Sequence, residues 1–111
     1  MDERSKKFLT DILVSIEAID SYLQGKRDFN FYLQNKMVRR SVEREIEIIG
    51  EATNRLLKLN PDIKITCGNK IVDQRNLIIH AYDAVNNEMI WAVVTKHLPV
   101  LKKEVEQLLE R

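Results

Sequence analysis

The chain has 111 residues, 44% hydrophobic and 32% charged, with three glycines, two prolines and one cysteine. That length and apolar content support one domain with one core, and so little Gly and Pro favours a helical domain over a β-sandwich. A formal net charge of +1 excludes a globally basic nucleic-acid binder, and a lone Cys67 excludes an intrachain disulfide, a CxxC motif and a thiolate zinc cluster.

The opening "MDERSKKFLT" is charged and unlike a signal peptide. Nowhere does the chain carry a run of about 18 apolar residues, so a cytoplasmic protein without a membrane span is expected. Arg4 to Leu23 then carries Phe8, Ile12, Ile16, Ile19 and Leu23, a spacing that marks one face of a helix. "QGKRD" supplies a turn around Gly25. "FNFYLQNK" is aromatic and short, and reads as a helical turn or the first part of the next helix.

The second long helix is predicted from about Lys36 to Leu59. Val42, Ile46, Ile49, Thr53 and Leu56 form its stripe, and Asn60-Pro61 stops it. Gln24 to Arg44 holds six basic residues (Lys26, Arg27, Lys36, Arg39, Arg40, Arg44) against two acids, Asp28 and Glu43. Lys36, Arg39, Arg40 and Arg44 form a basic stripe that can hold phosphates or serve as a solvated helix face. Further along, "IIGEA" places Gly50 inside the helix, at a cost of about 1 kcal/mol relative to alanine. Either another helix approaches closely there, or the glycine is simply tolerated.

"PDIKITCGNK" reads as an irregular or strand-like connection, with a turn at Gly68-Asn69. Cys67 within it is taken as a buried or incidental thiol rather than a nucleophile. The third helix is predicted from near Asn69 or Lys70. "DAVNN" breaks it, and Asn86 or Asn87 caps the last helix. That helix runs from about Glu88 to the end, with Ile90, Val94, Leu98, Leu101, Val105 and Leu108 inward and a kink at Pro99. Trp91 reads as an interhelical anchor. His97 lacks a carboxylate partner at metal-site spacing and reads as structural or surface, so no metal site and no cofactor are expected. The sum is a single all-α domain over residues 1–111: a mostly antiparallel, up-and-down four-helix bundle small enough to draw some stability from oligomerisation.

The third helix carries the chemistry, in "RNLIIHAYDAVN". Asn76 and His80 are four apart and share a face, so Asn76 can orient His80 by a hydrogen bond. Arg75 and His80 are five apart, about 140° around the axis and about 7.5 Å along it. One helix presents that pair poorly to one substrate. Two copies facing each other across a two-fold axis bring both pairs into one cleft. Tyr82 can join His80 only if the helix loosens near Ala81. Imidazole takes and returns a proton near neutral pH, and guanidinium binds phosphate bidentately, a combination suited to RNA cleavage by its own 2′-hydroxyl without a metal ion. The residues alone leave another reading open, in which Arg75 pairs with Glu51 or Asp73 and His80 and Tyr82 are structural.

"RNLIIHAY" resembles the Arg-polar-x-x-x-His-x-Tyr motif of HEPN ribonucleases, in their HepT-like toxin branch. "IIGEA" resembles that branch's second-helix signature, and "HAYDAVN" with "IWAVVTKHLPVL" resembles its passage into the final helix. The resemblance spans nearly the whole chain. It implies a homodimeric helical bundle with a composite RNase site at the interface, built on Arg75 and His80, with Asn76 orienting the site. It also implies a partner, an MNT-type nucleotidyltransferase antitoxin that transfers AMP from ATP to Tyr82. A bulky anionic adenylate at the cleft would repel RNA. The implied substrates are cellular RNAs, including tRNA. Two departures affect loops and not the Arg-His pair: "ITCGNK" replaces the family's common Pro-Trp, and Asn86 stands where Asp is common.

Two other functions compete. A non-catalytic dimeric adaptor would use the motif to dock the nucleotidyltransferase. A DNA-binding repressor would use the Lys26–Arg44 stripe, but no helix-turn-helix spacing is evident there.

Overall fold

The computed structural model describes residues 1–110, and its first three helices start at short polar side chains that cap them. Asp2 caps α1 (Glu3–Tyr22), Asp28 caps α2 (Phe29–Gln34) and Asn35 caps α3 (Lys36–Leu59), each accepting a backbone N–H of the first turn. α4 spans Gly68–His80 and starts one residue earlier than expected. A single 3₁₀ turn follows at Tyr82–Ala84. Of the two candidate caps for the last helix, Asn86 is the one used, and α5 spans Asn87–Ala92. A wide π turn over Val93–His97 leads into α6, Leu98–Leu109. The expected end of this last helix, Arg111, lies outside the described residues.

Among the described residues every regular element is helical. α1 turns at Gln24 and Gly25, both in the left-handed region, which agrees with the expected turn. "FNFYLQNK" forms a helix of its own instead of extending α3, because Asn35 is extended and caps the next helix. The interruption expected at Pro99 is met as the wide turn just before it. Proline has no N–H for the carbonyl four residues back, and the π turn opens the ladder at that point.

α1 packs against α3 and α6, and α3 packs against α4. The core largely follows the stripes read from sequence, except that Leu9 and not the half-buried Phe8 enters it: Leu9, Ile12, Ile16 and Ile19 meet Val42, Ile46, Ile49 and Leu56, closed by Leu101 and Val105. Trp91 is an interhelical anchor, with its ring 5.5 Å from Phe29 and 5.4 Å from Tyr32. The 60–67 connection is irregular and tied down at both ends. Asn60 donates to Ser5 Oγ at 2.8 Å, and the Thr66 amide donates to Glu104. Ile49 is fully buried on the face of α3 next to the candidate site. Ile49→Ala is expected to cost about 2–5 kcal/mol, read as a lowered midpoint in thermal or urea unfolding. A change under about 0.5 kcal/mol would mean the core does not close there.

Candidate functional site

Gly50 decides where α4 can lie. A β-carbon at Gly50 would fall 2.4 Å from Cβ and 2.8 Å from Cγ of Arg75, and 3.3 Å from the Ile71 carbonyl oxygen. The bare backbone of α3 therefore admits α4 at the level of Arg75. Close approach, not tolerance, is the reason for a glycine in this helix.

Next to that seat, the Arg75 guanidinium is clamped. Its Nη2 donates to Glu51 at 2.7 Å and its Nη1 to Asn76 Oδ1 at 2.9 Å. Its Nε is buried without a partner among the described residues. Glu51 also accepts from Arg55 Nε at 2.7 Å. The Arg55 hydrogen bond, with the charge of Arg75 behind it, holds the Glu51 carboxyl below the usual carboxylate range. "IIGEA" thus supplies both the space for the Arg75 stem and the anion for its head. Arg75 lines a groove of about 380 Å³ that also takes in Phe8, Arg44, Glu51 and Ile79.

His80 is the last residue of α4 and is exposed. The hydrogen bond expected from Asn76 to His80 is replaced, because Asn76 Oδ1 is taken by Arg75. A charged guanidinium already held at Glu51 is the stronger donor. Asn76 therefore orients the arginine rather than the histidine. Arg75 and His80 lie on one helix yet, by its geometry, on different sides of it.

The chain leaves the helix at Ala81 (φ −146°, ψ 56°), which supplies the loosening that Tyr82 requires. The 3₁₀ turn carries the Tyr82 ring onto α3. Its hydroxyl donates to Glu43 Oε1 at 2.6 Å and accepts from Arg40, whose guanidinium carbon lies 5.3 Å from the ring centroid. Burial, then the Glu43 hydrogen bond, raises the phenol above its ordinary value. Tyr82 remains 42% exposed.

Glu43 is a site residue that sequence reading passed over, counting it only as an acid among bases. It is 6% exposed. A signal was present: Glu43 adjoins Val42 and precedes Ile46 by three, on the edge of the apolar stripe, where an acid is out of place.

The basic stripe is divided by its contacts. Arg39 donates to the Leu33 carbonyl and Arg40 is committed to Tyr82 and Glu43. Lys36 and Arg44 stay turned to solvent, with Arg44 only 3.6 Å from Glu47. Cys67 is half-buried just before α4, and His97 is half-buried in the wide turn. Among the described residues no group of three or more His, Cys, Asp or Glu side chains could hold a metal ion. Nor is any helix among them long and apolar enough to cross a membrane.

Comparison with known proteins bears on this arrangement. A family model described as Ribonuclease HepT-like matches residues 12–108. A Methanocaldococcus jannaschii protein named as a candidate RNase is 36% identical over 105 residues, covering 91% of this chain and 93% of its own. A Thermococcus cleftensis protein named probable ribonuclease HepT is 32% identical over 112 residues, covering 97% and 98%. A second M. jannaschii protein, whose name joins a γ-glutamylcyclotransferase to a candidate RNase, is 33% identical over 106 residues, and this chain spans 47% of its length. No solved structure matches.

Proposed function

Because the chain belongs to the HepT-like ribonuclease family, we propose that it is a metal-independent endoribonuclease acting on cellular RNA, tRNA included, in the cytoplasm. The observation that carries this reading is the preparation of Arg75. The side chain is seated by a glycine, clamped by Glu51 and Asn76, and placed at the wall of a groove, with an exposed imidazole one turn on. His80 removes the 2′-hydroxyl proton, and that oxygen attacks the adjacent phosphorus. Arg75 exchanges its contact with Glu51 for the phosphate oxygens and stabilises the charge that builds on them. The bond from phosphorus to the 5′-oxygen breaks as the His80 imidazolium returns its proton to that oxygen, and the products are a 2′,3′-cyclic phosphate and a 5′-hydroxyl.

The active form is a homodimer of up-and-down bundles, with the two α4 helices facing across the axis. Arg75 and His80 diverge on one helix, so each site draws on both copies. Lys36 and Arg44, both exposed and the latter in a solvent-facing ion pair with Glu47, guide the flanking RNA phosphates. The chain serves as the toxin of a toxin-antitoxin pair. Its antitoxin is a nucleotidyltransferase that adenylylates Tyr82, two residues from His80, and so places an anion beside the RNA site.

The test is incubation of the purified chain with tRNA and total RNA in EDTA. Wild type is expected to cleave and to leave cyclic-phosphate ends. If wild type and His80→Ala are equally inert on every RNA, the catalytic reading fails and the non-catalytic adaptor takes its place.

A further inference from the structure

Tyr82 carries its own acid–base partner. Its hydroxyl donates to Glu43 Oε1 at 2.6 Å, and the Glu43 side chain is only 7% exposed. A buried carboxylate is costly to keep. The apolar stripe of α3 gives no packing reason for one at this place, since Val42 and Ile46 already fill the core beside it. Arg40 completes the group, donating to the phenol oxygen and standing 3.4 Å from Glu43 Oε1. A phenol bonded to a carboxylate is not in itself distinctive, because Tyr22 donates to Glu45 at 2.8 Å in the same way. What sets Tyr82 apart is that its carboxylate is buried, and that a guanidinium lies over the ring and on the oxygen.

We propose that Glu43 is the general base for nucleotidyl transfer to Tyr82, so that the acceptor chain and not only the transferring enzyme supplies catalytic machinery. This rests on the reading of Tyr82 as the adenylylated residue. In the step, the Tyr82 oxygen attacks the α-phosphorus of ATP held by the nucleotidyltransferase. The new O–P bond forms as the bond from that phosphorus to the α–β bridging oxygen breaks, and pyrophosphate leaves with the electron pair. The phenol proton passes to Glu43 Oε1 and from there to solvent. Arg40 faces the same oxygen and neutralises the phosphate as it arrives. A nucleophile within hydrogen-bond reach of a base that is itself oriented by a third group is the arrangement such a transfer needs. Burial and the Glu43 hydrogen bond raise the phenol above its ordinary value, in keeping with a hydroxyl that needs a base. After transfer the hydroxyl donor is gone, and the adenylate phosphate meets the Glu43 carboxylate. The modified side chain is then repelled from its place against Glu43 on α3.

The experiment uses the full chain, its nucleotidyltransferase partner and radiolabelled Mg-ATP, with the label mapped by peptide mass. Glu43→Gln keeps an acceptor for the phenol but takes no proton. It is expected to slow kcat for transfer by about 100-fold or more while leaving KM for the chain near wild type. Glu43→Asp keeps the charge and withdraws the oxygen, and is expected to slow transfer by about 10-fold with a wild-type melting temperature. It stands in for the test should Glu43→Gln fold poorly. Wild-type rates in both variants, with the label on Tyr82, would overturn the base while leaving the acceptor reading intact. Label absent from wild type, or undiminished in Tyr82→Phe, would remove the acceptor reading and the base with it.

Discussion

Arg75→Ala and His80→Ala are each expected to lose RNA cleavage, and a mixture of the two is expected to regain it. Removal of a general base alone lowers rates by about 10²–10⁴-fold. Removal of a preorganised charge at the phosphate costs about 10²–10³-fold. The two groups sit on α4 about 140° apart by helix geometry, with the arginine clamped at its groove by Glu51 and Asn76. If a site takes Arg75 from one copy and His80 from the other, a mixed dimer retains one intact pair. With free exchange about half of the dimers are mixed, so activity should return to about a quarter of wild type. The measurement is initial cleavage rate before and after subunit exchange, with each variant alone as baseline. Mixtures that stay at baseline after exchange is verified would mean that Arg75 and His80 act from one chain, or not together at all.

Gly50→Ala is expected to destabilise the fold, although helix propensity by itself favours the substitution by about 1 kcal/mol. The new β-carbon would fall 2.4 Å from Cβ of Arg75, an atom fixed to the α4 backbone rather than the end of a flexible side chain. Overpacking of this kind costs about 1–3 kcal/mol. Because the neighbour is backbone-fixed, the clash is taken near the upper end of that range, and a net loss of up to about 2 kcal/mol lowers the melting temperature by several degrees. Because the atom that must move is part of Arg75, RNA cleavage should fall with it, and further than the loss of stability explains. A melting temperature raised by the propensity gain, with full activity, would show that α4 does not seat on Gly50.

These expectations depend on features of unequal legibility. The long helices were readable because apolar spacing and end signals agree. The Ile46, Ile49, Leu56 stripe and Asn60-Pro61 place α3 within its observed bounds. Loosening near Ala81 was readable as the condition for Tyr82 to join His80; the chain does leave the helix there, but the contacts Tyr82 makes are with Glu43 and Arg40 on α3. The partner of Tyr82 was not readable. Glu43 and Tyr82 are 39 positions apart, and only the packing of α4 on α3 brings them together. The Asn76 contact was misread for a related reason. Local spacing offers His80 as its partner, but a guanidinium anchored from another helix outcompetes it.

By itself, then, the sequence determined an all-helical domain, the stripes that form its core, and the stretch in which arginine, asparagine, histidine and tyrosine gather. Those are properties of neighbours along the chain, set by a 3.6-residue period, by capping side chains and by proline. The tertiary structure decided how the polar groups are paired: Arg75 takes Glu51, one of the two acids the sequence had offered it, over Gly50, and Tyr82 takes Glu43 and Arg40, which the sequence had not offered. Each pairing joins helices distant in sequence. It depends on how closely two backbones approach, which no periodicity along one chain encodes.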